Sequence, residues 1–279
     1  MTPRMQSFER ETLRAVIHSK RVWLIHVITN ALLMVAFFYW LRIAEESGVQ
    51  FALSVVSGLL IIFVTLWLYC ATFDYFRVQG EMRFKRSLLR SLARVPAFLV
   101  WALIFGFVLW LIGQLWGYDE QIGGWLRHIL PRVIRRSVAP RSVISGVAWL
   151  LWFLSFFLWP ISFLPVGAQV AIGNSSGFLS ANALRPLRSI RFWILYFVCF
   201  MLGAYVPFRF AWMTPKKASS LNAETWSMVV RLGVGYLLLV TAWLVLCAAI
   251  MRASDGEATS AVESEPKSLP ASPASVSIL

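Results

Sequence analysis

Residues 51–73 read FALSVVSGLLIIFVTLWLYCATF, from Phe51 to Phe73, without one charged side chain. A helix rises about 1.5 Å per residue, so about 20 apolar residues cross a hydrocarbon layer of about 30 Å. A helix apolar on every face needs an apolar surrounding, and this run predicts a transmembrane span. Five runs of the same kind lie outward from it, at Val22–Leu41, Val95–Trp116, Val143–Ile172, Phe192–Phe208 and Trp226–Met251. Backbone polar groups in lipid must be satisfied within the segment, which makes each run a helix. The predicted fold is an all-α membrane protein, a bundle of about six transmembrane helices with basic amphipathic helices at the interface.

Composition supports this reading. Hydrophobic residues make up 59% of the 279 and charged residues only 14%, where a soluble domain carries about 25%. The segments between runs are too short for a second domain. The expected organisation is a basic interfacial segment over 1–21, a polytopic membrane domain over 22–252 and a disordered tail over 253–279. The tail is rich in Ala, Ser, Pro and Glu and cannot bury enough apolar surface to fold alone. The first apolar run is too long for a cleaved signal and reads as a retained signal anchor.

Net charge is +13. The arginines sit beside apolar runs, so anionic headgroups and the positive-inside bias account for them more simply than nucleic acid does. The expected partners are membrane lipids, a membrane protein or a second copy of the chain. Two basic amphipathic helices carry the headgroup candidates. In the first, Arg83, Arg86, Arg90 and Arg94 share one face, and Phe84, Leu88, Leu92 and Val95 form another. In the second, Arg127, Arg132, Arg135 and Arg136 fall between apolar residues that recur from Ile122 to Ile134, with a kink expected at Pro131. Near the N-terminus, Met5, Phe8, Leu13, Val16 and Ile17 form a rough helical stripe, predicting a short helix on the membrane surface.

Polar residues inside the spans are few: His26, Asn30 and Gln169 stand out. His26 and Asn30 are four apart and share a helical face. They suit hydrogen bonds to a neighbouring helix better than a transport pathway, because no acid or base joins them. Pro160 and Pro165 interrupt the fourth run. A kinked helix ending near Ile172 is expected, with a re-entrant break as the alternative.

No catalytic, metal or cofactor signature emerges. Gly173–Gly177 matches G-x-S-x-G, but its context is the end of a membrane helix and no histidine follows His128. Asp74, Asp119, Glu120 and His128 are the remaining groups an enzyme could use, and they sit at span edges. Cys70, Cys199 and Cys247 lack ligand spacing and read as small buried side chains. Gly113 with Gly117, Gly203-Ala204, and Gly233 with Gly235 are candidate close-packing sites. A non-enzymatic protein acting through anionic lipid or a membrane partner is expected, with a small transporter as the alternative.

Six crossings put both termini, the second loop and the fourth loop on one side, which the charge bias makes cytoplasmic in a bacterial inner membrane. The basic third loop opposes that bias. A re-entrant Val95–Tyr118 would relieve the conflict, but its length favours a full crossing.

Overall fold

The computed structural model describes residues 3–44, 46–78, 84–173, 181–213 and 221–263. Among these every regular element is helical. The helices are α1 (Pro3–His18), α2 (Lys20–Trp40), α3 (Gly48–Arg77), α4 (Phe84–Leu92), α5 (Val95–Trp116), α6 (Asp119–Ile129), α7 (Arg132–Ser137), α8 (Pro140–Phe153), α9 (Trp159–Ala171), α10 (Ile190–Phe200), α11 (Val206–Trp212) and α12 (Leu221–Glu263). A 3-10 turn spans Ala181–Arg188, and π turns join α8 to α9 and α10 to α11. Among the described residues six segments are long and apolar enough to cross a membrane: Lys20–Trp40, Gly48–Arg77, Val95–Trp116, Pro140–Ala171, Ile190–Trp212 and Asn222–Ser254. The chain is thus an all-α multi-pass membrane protein.

The apolar window of α12 is 61% buried, against 28% or less for the other spans. It is the axis, and α1, α2, α3, α9, α10 and α11 pack around it. Small residues permit this. A Cβ on Gly203 would stand 2.7 Å from the Ala242 Cβ, and one on Gly235 would stand 3.2 Å from the Pro207 Cβ. Gly113 and Gly233 have open space instead, and a Cβ on Gly117 would meet only a carbonyl of its own helix. Of the glycines expected to mark packing, Gly203 and Gly235 do so. The helix continues to Glu263, past the expected span end at Met251. Residues 264–279, the rest of the expected disordered tail, lie outside the described residues.

α5 pairs with the fourth span from end to end, antiparallel. Trp101 stacks on Phe163 with ring centroids 6.2 Å apart, Phe105 stacks on Trp159 at 5.9 Å, and Trp116 Nε1 donates to Ser155 Oγ at 3.4 Å. The segment runs through in one direction, and the dipping alternative for Val95–Tyr118 does not describe it. The third loop accordingly lies at the far end from α4. There α6 folds back on α8, with Gly123 giving room for Ile144. The expected kink at Pro131 is a full break: Leu130 and Pro131 adopt ψ of 139° and 144°. A residue before proline avoids the helical region, which ends α6 there.

The fourth and fifth spans share a construction. Each widens into one π turn, Leu154–Leu158 and Met201–Tyr205, just before Pro160 and Pro207. A proline cannot bond the carbonyl four residues back, and its ring crowds it. Those carbonyls belong to Phe156 and Gly203, inside the two π turns. The widening absorbs the clash without unwinding the helix. The fourth span is therefore continuous from Pro140 to Ala171, with no re-entrant break. Pro165 sits inside α9 without such a turn.

A candidate polar centre at the basic end

α1, α4, the 3-10 turn and the C-terminal part of α12 gather at one end of the bundle, which we call the basic end. α1 was expected to lie along the membrane through one apolar stripe. Instead the stripe divides: Val16 is buried, with Thr12 and Ser19 beside it, while Leu13 and Ile17 remain exposed. The docked face meets α12, and Glu11 Oε2 stands 3.6 Å from Arg252 Nη1. α4 also differs from expectation. It docks on α3 through Phe84, Ser87 and Ser91, and Leu92 is exposed. Serines bring the two backbones close where leucines would hold them apart. Lys85, Arg86 and Arg90 face outward.

Beneath α4 lies an ion pair. Asp74 is in the last turn of α3 and has no exposed surface. Arg94 stands at the junction of α4 and α5, where Pro96 starts the new helix. Arg94 Nη1 donates to Asp74 Oδ1 at 2.7 Å and to the Ala171 carbonyl at 3.2 Å. Arg77 Nη1 donates to the Ile172 carbonyl at 3.3 Å, and the Cys70 thiol donates to Ala171 O at 3.4 Å. These groups satisfy the last carbonyls of α9 and meet the negative end of its dipole. Gly173 follows with φ of 88°, the left-handed residue that ends many helices. A Cβ there would stand 3.1 Å from Arg94 Nε, so glycine also makes room for the guanidinium. One pair thus ties α3, α5 and α9 together.

Asp74 lies at the edge of its span, as read from the sequence, and is buried inside the bundle there. It leaves the transporter alternative with the buried acid that the spans had seemed to lack. The residue was legible as the single acid between Glu46 and Glu81. Its partner was not, because Arg94 shares a helical period with Arg86 and Arg90.

A second polar group joins α2 to α3. Thr72 Oγ1 donates to the Leu68 carbonyl at 2.7 Å, so its lone pair accepts from His26 Nε2, also at 2.7 Å. His26 Nδ1 then accepts from Asn30 Nδ2 at 3.4 Å. The network selects the neutral Nε2–H tautomer. The His26 ring stacks on Tyr69, which packs on Trp243 of α12. His26 is fully buried, and the arrangement is an interhelical joint. Gln169, on α9, makes no hydrogen bond to either residue.

Between α1, α3 and α12 lies a cavity of about 140 Å³ lined by His18, Ser19, Tyr75, Phe76, Ala248 and Arg252. Ser19 gives its hydrogen to Ala15 O at 2.6 Å and so accepts from the Tyr75 hydroxyl at 3.1 Å.

The remaining headgroup candidates are spread out. Arg83 lies outside the described residues. Arg132 and Arg136 are exposed on α7 at the far end, and Arg127 is half-buried on α6. Arg135 Nη2 donates to the carbonyls of His128 at 2.7 Å and Leu130 at 3.2 Å, capping α6 across the Pro131 break. Arg231, near the start of α12, caps α11 by donating to the carbonyls of Phe210 and Met213.

No family model, curated protein or solved structure matches the chain. What it is rests on its own geometry: an integral membrane bundle of six apolar helices, pinned at one end by a buried ion pair.

Proposed function

We propose that this chain is a non-enzymatic membrane protein whose basic end holds anionic lipid headgroups. One observation carries the reading. Arg94 and Arg252 engage the acids Asp74 and Glu11, while Arg14, Arg21, Lys85, Arg86 and Arg90 stand exposed. Each exposed cation near an anionic surface contributes about 1 kcal/mol. The exposed leucines Leu89 and Leu92 on α4 suit the acyl boundary beside those headgroups. Spin-labelled phosphatidylglycerol should be enriched over phosphatidylcholine around the reconstituted protein. Replacing Lys85, Arg86 and Arg90 together by glutamine should reduce that enrichment at least threefold. Equal association of the two lipids with the unaltered protein would refute the reading.

The positive-inside bias makes the basic end cytoplasmic in a bacterial inner membrane. A cysteine replacing Ser137, exposed on α7, should then react with an impermeant thiol reagent on intact cells. One replacing Arg90 should react only after permeabilisation. The native cysteines are buried and would first be changed to alanine. Labelling of the Arg90 site from outside would reverse the orientation.

One observation favours a transporter as the second reading. Asp74 is a buried acid whose Oδ2 has no hydrogen-bond partner among the described residues, and intramembrane acids commonly serve coupled transport. Proton-driven uptake into vesicles that disappears in Asp74→Asn would support it over the lipid reading.

A further inference from the structure

A groove of about 510 Å³ runs between α8 and the α10–α11 helix, in the half of the bundle away from Asp74. Its walls are aromatic: Trp116, Trp149, Trp152, Phe156, Phe200 and Phe208. Trp149, Phe156 and Phe208 are more than half exposed, so the groove opens sideways, where the membrane would be. The two π turns line it. Phe156 belongs to the first turn, Ala204 and Tyr205 to the second, and Phe200 immediately precedes the second. Each turn shifts its helix face by part of a residue, and the two spans leave a concave seam where straight helices would interdigitate.

The groove has a charged rim. Its hydroxyl groups belong to Ser145 and Tyr205. Arg141 lies four residues before Ser145, and Arg209 lies four residues after Tyr205. Residues four apart share a helical face, so each arginine stands one turn beyond a groove residue, toward the far end. Both are exposed. An apolar slot within the span, with two cations at its mouth, is complementary to an amphiphile with an anionic head and a hydrocarbon tail. The volume lies within the range of about 300–1,000 Å³ typical of small-molecule sites.

We infer that this groove seats one acyl chain of an anionic phospholipid, with its phosphate at Arg141 and Arg209. The site is separate from the basic end and does not depend on the lipid reading given for it. It differs from the general lipid boundary in being concave, with a single occupant.

The test is native mass spectrometry of the full-length detergent-solubilised protein with dioleoyl phosphatidylglycerol or dioleoyl phosphatidylcholine. One phosphatidylglycerol should survive activation that strips the others. Ala204→Trp, which fills the groove from its exposed edge, should abolish that species. R141Q/R209Q leaves the groove open and should weaken it about tenfold. The Lys85, Arg86 and Arg90 triple variant should leave it unchanged, which separates this site from the basic end. Phosphatidylcholine retained as firmly as phosphatidylglycerol would overturn the inference. So would a retained lipid insensitive to Ala204→Trp, or one lost with the triple variant alone.

Discussion

Asp74→Ala is expected to lower the stability of the bundle by about 3 kcal/mol. The carboxylate is fully buried and holds Arg94, which bridges to the last carbonyl of α9. Removing the acid leaves a guanidinium in a largely dry site, and an uncompensated charge there costs more than the pair contributes. The guanidinium keeps some access to water, at 21% side-chain exposure, so the loss falls at the lower end of the range for such pairs. Asp74→Asn retains an acceptor and should lose less. The double variant D74A/R94M removes both charges with similar volume at position 94, and it should recover much of the loss. Thermal unfolding in one detergent of the parent, D74A, R94M and D74A/R94M checks this as a cycle, with D74N measured beside it. A double variant no more stable than Asp74→Ala would show that packing, not the unpaired charge, sets the cost.

Gly167→Ala should cost about 2 kcal/mol, large for one methyl group. A Cβ at position 167 would stand 2.5 Å from the Cε2 and Cζ2 atoms of Trp101. Trp101 cannot easily yield. Its ring stacks on Phe98 at 4.8 Å and on Phe105 at 5.5 Å, and its indole nitrogen donates to the Phe163 carbonyl at 3.3 Å. Close packing leaves no void for the displaced ring. Trp101→Phe removes the benzo ring that the methyl would strike, so adding it to Gly167→Ala should restore about half of the loss. Melting temperatures in a common detergent test this. Additive losses in the double variant would place the strain elsewhere.

The spans were legible because hydrocarbon imposes a simple rule. A run such as Phe51–Phe73 has no stable alternative to a helix in lipid, and its length suffices to cross. The same rule recovered the span bounds to within a few residues, apart from the ends of α3, α8, α11 and α12, which run further. Fine structure within the spans followed less from pattern. Pro160 and Pro207 were visible, but whether proline kinks, breaks or widens a helix depends on what neighbours supply. Here each span opens one π turn and remains continuous. The apolar face expected on α4 ran through Phe84, Leu88, Leu92 and Val95, of which Phe84 and Val95 are buried while Leu92 is exposed. In a membrane protein leucine is equally at home in lipid, so hydrophobicity does not tell packed faces from lipid-facing ones. The serines Ser87 and Ser91 were the better signal.

Composition by itself determined the membrane location, the helical class, the number of spans and the basic helices between them, because each is a property of a local segment and its solvent. Tertiary structure alone decided which arginines are spent. Arg94, Arg135 and Arg231 look like Arg86 and Arg90 in sequence, yet they bond carbonyls at helix ends, and Arg94 also holds Asp74. A guanidinium reaches whichever acceptor the packing brings within about 3 Å, and that partner can be 20 or 77 residues away, as Asp74 and Ala171 are from Arg94.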